Sequence, residues 1–292
     1  MPALRGGVAG RETRVEDVAR GYPVGRMRTL KITLAYDGTH YVGWQRQARG
    51  ESIQQRLEDA LARFEGARVV AHASGRTDAG VHALAQVASA QVTFAHDTDA
   101  IVRGLNAQLP ADIRVLRVED AAPTFHARFS ARSKTYEYRI RHACVANPFA
   151  RAYEWHLTGS LDVEAMQEAA GSLVGTHDFA AFRTIGTEIR ETIRTITTST
   201  VIDIRDGDHR VCVGPDPARV PVDASGRLVV YRVCGDGFLR HMVRAIVGTL
   251  VDVGRGRRRP ENMADLLRGA ERGDAGATAP PHGLFLVRVD YD

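Results

Sequence analysis

Lysine is nearly missing from this chain. Lys31 and Lys134 are the only two among 39 basic residues, and the rest are arginine. The planar arginine fork grips phosphate bidentately. A GC-rich coding bias produces the same replacement, so the shortage alone identifies no partner. Cysteine is scarce as well. Cys144, Cys212 and Cys234 are odd in number, widely spaced and free of any CxxC pair. That excludes a disulfide framework and a zinc ribbon, and it makes a reducing cytoplasm the simplest location. Histidines with the HExxH spacing of a zincin are absent too. No apolar run reaches the ~18 residues that span a bilayer, so no membrane contact is expected. The first 28 residues lack the apolar core of a secretory signal. Glu12, Glu16 and Asp17 argue against an acid-poor mitochondrial leader. With both signs of charge and few large apolar residues, residues 1–27 are expected to form a disordered N-terminal tail.

What is present fits a globular protein. A length of 292 residues, 44% of them hydrophobic, allows one large domain or two of moderate size. The net charge of +4 favours a polyanionic partner mildly.

Residues 29–36 (TLKITLAY) alternate and predict a first strand. Ser52 and Gln55 make a capping box, and Ile53, Leu57, Leu61 and Phe64 then lie on one helical face. A short strand over 69–73 runs into a tight turn at 74–80. Residues 81–94 and 113–118 read as strands, with a helix over 99–109 between them. The second half opens with a strand at 133–142, which places Tyr136, Tyr138 and Ile140 on one face. Asp162 caps a helix predicted to end at Gly175. Residues 195–204 and 228–233 read as paired strands, joined by a long Pro/Gly/Asp-rich loop over 205–227. Residues 238–251 carry the strongest amphipathic helix, with Arg240 and Arg244 together on one side. A basic loop with Arg255, Arg257, Arg258 and Arg259 follows. Pro260 then starts another helix, and a last strand covers 283–291. The order mixes strands and helices as an α+β fold with a largely antiparallel sheet. GRTDAGVHA and CGDGFLRHM echo each other faintly, too weakly to establish a repeat.

The turn at 75–80 is where chemistry is expected. Two glycines bracket Arg76, Thr77 and Asp78 and hold the aspartate on a sharp bend. A carboxylate presented this way can act as nucleophile, base or ligand. Standing alone, such an aspartate more often stabilises its own turn.

Longer matches change that reading. The segments are YDGTHYVGWQRQ (36–47), GRTDAGVHA (75–83), FHARFSARSKTYEYRI (125–140), GTHDFAAF (175–182), FLRHMVRAIVGTL (238–250) and TAPPHGLFLVRV (278–289). In these six segments, in order from residue 30 to residue 291, the chain resembles the tRNA pseudouridine synthase A family. The resemblance implies a pseudouridine synthase fold. Two α/β lobes, 28–132 and 133–292, would form a continuous sheet with a central RNA-binding cleft. Asp78 would be the catalytic nucleophile. Tyr136 would stack on the target base, Arg244 would pair with Asp78 and keep it ionised and oriented, and Arg76 would help hold the flipped-out nucleotide. The reaction breaks N1–C1′, turns the uracil and joins C5 to C1′. Nothing is gained or lost, so no cofactor and no metal is expected. His82, His126, His177 and His241 are expected as structural hydrogen-bonding residues, with His177 and Asp178 fixing a loop. The resemblance also implies uridines 38, 39 and 40 of the tRNA anticodon stem-loop as targets, and a homodimer. Arg255 to Arg259, Arg128, Arg132 and Arg139 are candidates for phosphate contacts.

The chain departs from the family pattern in its longer tail, in its expanded 205–227 loop, and at Ala245, where asparagine is usual. Two rival readings remain at this stage. One is a catalytically silent tRNA-binding protein of the same fold, and the other is a metal-free hydrolase using Asp78.

Overall fold

A computed structural model describes residues 25–184, 191–205 and 226–291. The expected tail up to residue 24 and residues 206–225 of the expected loop lie outside the described residues.

Among the described residues, ten strands and five α-helices follow in the order β1 (Arg28–Tyr36), α1 (Ile53–Glu65), β2 (Ala71–Ala73), β3 (His82–Val92), α2 (Thr98–Gln108), β4 (Ile113–Ala121), β5 (Ser133–His142), β6 (Trp155–Leu157), α3 (Val163–Gly171), β7 (Gly175–Asp178), β8 (Ile193–Arg205), β9 (Arg227–Gly235), α4 (Met242–Gly254), α5 (Asn262–Leu266) and β10 (Leu284–Asp290). All ten strands join one open sheet. Its main path runs β4-β1-β3-β10-β5-β9-β8-β7, with β2 on β3 and β6 on β5. Most neighbours are antiparallel, while β3–β10 and β5–β6 are parallel. The α+β expectation therefore holds.

Alternation decides which face is covered. On β1, Leu30, Ile32 and Leu34 are fully buried. Their partners on β3 are Ala90, Ala88 and Gln86, and directly opposed residues share a face. Tyr36 continues that row and is paired with Ala83. Ala83 meets Leu286 of β10, which meets Tyr136 of β5, which meets Val233 of β9. One apolar face thus crosses the whole sheet. Ile53, Leu57 and Leu61 of α1 and Ile101 and Leu105 of α2 pack into a single buried cluster with it, as do α3 and α4. The seam at the middle is short. The ladder of β10 on β3 has two registered pairs, Phe285 opposite His82 and Leu286 opposite Ala83.

Ser52 caps α1 by accepting from the Gln55 amide at 3.2 Å, and Gly66 closes it in the left-handed region. Two expectations are corrected. Helix α3 ends at Gly171, because Gly175 (φ 121°) already opens β7. His177 and Asp178 lie in that strand, paired with Arg194 and Ile193, and His177 Nε2 reaches back 3.0 Å to the Val174 carbonyl in the turn after α3. Helix α4 starts at Met242 and not at Phe238, because His241 before it is left-handed (φ 62°) and breaks the helical run. Strands β6 and β7 are too short to show alternation and went unforeseen.

Among the described residues no helix is long and apolar enough to cross a membrane, and no cluster of His, Cys, Asp or Glu could hold a metal ion. Cys144 and Cys234 are free thiols.

Candidate active site

Residues 74–81 leave β2 and return into β3, and every polar group nearby ties them down. The Ser74 amide donates to the Val87 carbonyl at 2.8 Å, and the Trp44 amide donates to the Thr77 carbonyl at 3.0 Å. Gln86 is buried, donates to the Gly75 carbonyl at 2.9 Å and accepts from the Ser74 hydroxyl at 2.7 Å. The Tyr36 and Thr77 hydroxyls bond at 2.8 Å. Gly43 (φ +101°) makes the approach possible, since a Cβ there would lie 2.5 Å from the Thr77 carbonyl oxygen. Burial pushes the Tyr36 phenol up to about 12 against the opposing bonds to Thr77 and Gln86. It therefore stays a neutral hydrogen-bonding anchor.

The turn presents Asp78 toward the N-terminal end of α4. Arg244 Nη1 donates to Asp78 Oδ2 at 3.4 Å, so the expected pair forms. The same guanidinium donates from Nε to the Ala279 carbonyl at 2.7 Å, and the Ala279 amide donates back to the Arg244 carbonyl at 3.0 Å. Arg244 is thus braced from behind before it meets the carboxylate. It also belongs to the first turn of α4, where the helix dipole favours a negative charge.

Two further groups reach Asp78 that the sequence reading did not assign to the site. His241 Nε2 lies 3.4 Å from Oδ2, and Arg240 Nε lies 4.0 Å from Oδ1. The sequence placed His241 inside the predicted helix over 238–251 and in the matched segment 238–250, but only as a structural hydrogen-bonding residue. Its left-handed backbone, which costs a non-glycine residue about 1–2 kcal/mol, cannot be read from a pattern. The faint echo between GRTDAGVHA and CGDGFLRHM is not a repeat, because the first feeds strand β3 and the second feeds helix α4. The two segments instead meet face to face at this site.

Tyr136 forms the wall beside Asp78. It is 7% exposed and packs edge-on against Phe238, with ring centroids 5.1 Å apart at 79°. Burial first, then the charges of Tyr36 and Asp78, pushes its phenol far up, so it stays protonated. No hydrogen bond engages its hydroxyl among the described residues, which leaves the ring as its working part. Arg76 stands exposed two residues before Asp78 and makes no ion pair among the described residues. Lys134 shares the Tyr136 face and borders Gly75, whose Cβ would come 3.4 Å from Lys134 Cε. Burial and the nearby Arg128 and Arg194 lower its pKa, against Asp236.

The other histidines keep structural places. His82 sits at the seam, where its ring stacks on Phe285 at 4.7 Å. Its Nδ1 accepts from the Gly38 amide at 3.1 Å. Burial lowers its pKa, so the neutral ring can spare Nε2–H for the Ala152 and His282 carbonyls at 3.0 and 3.1 Å. His126 Nδ1 accepts from the Arg128 amide, and His177 Nε2 lies 3.0 Å from the Val174 carbonyl.

Among the arginines considered for phosphate, Arg139 is on the sheet face opposite Tyr136 and stacks on Phe285 at 4.1 Å. Arg257 and Arg258 pair with Asp252 at 3.3 and 3.8 Å. Ala245, the departure from the family pattern, is fully buried in the core cluster.

A family model described as tRNA pseudouridine synthase matches residues 32–130 and 169–292. The chain is 46% identical over 265 residues to tRNA pseudouridine synthase A of Pelobacter propionicus, covering 91% of this chain and 100% of that one. It is 41% identical over 266 residues to the protein of the same name from Exiguobacterium sp., covering 91% and 99%. The identity is 43% over 265 residues to that of Myxococcus xanthus, covering 91% and 92%.

Proposed function

This chain belongs to the tRNA pseudouridine synthase family, and from that premise we propose that Asp78 is the nucleophile with which it isomerises uridine to pseudouridine at positions 38, 39 and 40 of the tRNA anticodon stem-loop. The observation that carries the reading is a carboxylate on a rigid turn, faced by two arginines and an imidazole, with a buried aromatic wall beside it.

A bond with oxocarbenium character at C1′ is served by one carboxylate that attacks that carbon or stabilises its charge. A glycoside hydrolase needs a second carboxylic acid and a positioned water, whereas the groups paired with Asp78 are Arg240, His241 and Arg244. With Asp78 as nucleophile, a carboxylate oxygen bonds to C1′ as the N1–C1′ electron pair leaves with uracil. The base turns, C5 bonds to C1′ and displaces the carboxylate, the C5 proton is lost, and N1 takes up a proton. Atoms and electrons balance with no net gain or loss, so the step uses no cofactor.

The target base has to leave its stack to reach this site. Tyr136 then offers its ring, a contact that is indifferent to sequence and contributes roughly 1–3 kcal/mol per base. Arg244 orients Asp78. Arg76, unpaired and exposed beside it, holds the displaced nucleotide, and Lys134 adds a cation two residues from Tyr136. The division into lobes at 132/133 gives the first lobe the nucleophile, and the second lobe the aromatic wall and Arg244. The homodimer and the cytoplasmic location belong to the same proposal, supported by the family resemblance and by the free thiols Cys144 and Cys234.

The test is tritium release from [5-³H]uridine-labelled tRNA, because forming C5–C1′ expels the C5 hydrogen. Release by the wild type, and none by Asp78→Ala with tRNA binding kept, is the expected result. A folded wild type that binds tRNA without releasing tritium would instead be the silent RNA-binding protein. Free uracil among the products would mark a hydrolase.

A further inference from the structure

Lys134 is one of only two lysines in the chain, and it lies in the wall of the site described above. On β5 it stands two residues before Tyr136, and alternation puts both side chains on one face. Its stem runs along the turn that carries Asp78, for a Cβ on Gly75 would come 3.4 Å from Lys134 Cε and 3.7 Å from Cδ. The ammonium itself has no hydrogen-bond or ion-pair partner among the described residues.

The charges around it are mostly of its own sign. Burial lowers its pKa first, and Arg128 and Arg194 lower it further, against Asp236. Asp236 is engaged elsewhere, its Oδ1 accepting from the Thr195 amide at 3.1 Å. Arg194 Nη1 donates to the Glu191 and Ile193 carbonyls at 3.3 and 2.5 Å. Neither Arg128 nor Arg194 pairs with a carboxylate among the described residues. Half-burying an ammonium beside two arginines without a counter-ion costs stability. A ligand anion removes that cost when it binds.

We propose that Lys134 binds a phosphate of the target nucleotide, one of the two that flank the sugar whose C1′ meets Asp78. This rests on the reading of Asp78 as the nucleophile and names the phosphate subsite of the same site.

Placement decides which part of the RNA is held. With the base on Tyr136 and the sugar at Asp78, the anions nearest to both are the phosphates on either side of that sugar. Lys134 borders the Asp78 turn at Gly75 and stands about 7 Å along the strand from Tyr136, a spacing on the scale of one nucleotide. Its ammonium is a compact charge with three rotatable donors, which suits a non-bridging phosphate oxygen. Glycine at 75 and 237 keeps the approach clear of side chains on two sides, and a Cβ on Gly237 would come 3.4 Å from Arg194 Nε.

The test uses the full chain and a full-length tRNA with one target uridine, assembled by ligation so that either flanking phosphate can be replaced by a neutral methylphosphonate. Lys134→Met keeps the stem and removes the charge. On unmodified tRNA its Kd is expected to rise roughly 10- to 100-fold, as for loss of a hydrogen bond to a charged group. The slope of log Kd against log salt concentration should flatten by about 0.7–0.9, the share of one phosphate. Without RNA, its thermal midpoint should stay at or above that of the wild type, because an unpaired half-buried charge has gone. Lys134→Arg keeps the charge and should recover most of the slope. At one of the two flanking positions, methylphosphonate should weaken the wild type and leave Lys134→Met nearly unaffected, the coupling expected of a direct contact. An unchanged Kd in Lys134→Met, or equal weakening of both proteins at each position, overturns this inference alone. A wild type that binds tRNA and releases no tritium overturns the reading of Asp78 on which it rests.

Discussion

At Tyr136 the ring and the hydroxyl can be separated by experiment. The hydroxyl makes no hydrogen bond among the described residues, while the ring packs on Phe238 at 5.1 Å. Tyr136→Phe is therefore expected to retain most of the kcat/KM of the wild type. Tyr136→Ala should lose about 1–3 kcal/mol of transition-state stabilisation, the contribution of one stacked base, read as kcat/KM for tritium release. Arg244 is a different case, because its Nε and Nη1 serve two partners in different directions, Ala279 and Asp78. A lysine ammonium is a single point of charge, so Arg244→Lys should lower kcat at least about tenfold even though the charge is kept. Single-turnover kinetics on saturating enzyme would show the loss in the chemical step.

Between elements, the support of Arg244 depends on how closely residues 276–279 approach α4. Gly248, one helical turn beyond Arg244, permits this, since a Cβ there would fall 1.7 Å from the Ala277 carbonyl oxygen. Gly248→Ala is expected to force that segment off the helix, to destabilise the fold by about 1–3 kcal/mol, and to release Arg244 from Ala279. Urea unfolding and turnover measured together should fall in parallel. The elements also show where the sequence was legible. Strands β1 and β5 and helices α1 and α4 were readable because each buries one continuous stripe, which periodicity reports. The turn carrying Asp78 was readable from its bracketing glycines together with the family resemblance. His241 and Arg240 entered the site unannounced because their placement follows from one backbone angle and from a contact between residues some 160 apart in sequence. Strand β7 was lost for a simpler reason. Four residues are too few for alternation to register, and Gly175 looked like a helix terminator when it is the start of a strand.

Over the whole molecule, the core carries an unusual number of phenols. Burial raises the pKa of Tyr36, Tyr136, Tyr138 and Tyr231 above the ordinary value of 10.0. A raised folded-state value means that the native protein keeps a proton which the unfolded chain gives up. Stability from these groups is complete below pH ~10 and is lost as pH rises through the folded-state values, by up to ~1.4 kcal/mol per pH unit for each tyrosine. The thermal midpoint should hold level up to pH ~10 and drop steeply beyond it, with the tyrosinate absorbance of these four rings at 295 nm appearing only as the protein unfolds, after that of exposed Tyr153. The full tyrosinate signal of all the tyrosines in the still-folded protein would mean that these rings are solvated.

The place of β10 in the sheet has a consequence for how the protein is made. This strand, the last of the ten in chain order, lies between β3 and β5 and supplies the only ladder described across the middle of the sheet. A ribosome building the chain from its amino terminus releases the Asp78 turn and the Tyr136 strand long before residues 284–290. Until those residues emerge, Asp78 and Tyr136 belong to two unjoined pieces with bare strand edges. Such edges recruit other chains, and pairings this distant in sequence form slowly. The meeting of Asp78 and Tyr136 thus waits for residues 284–290, and a nascent chain without them has no assembled site to offer passing RNA.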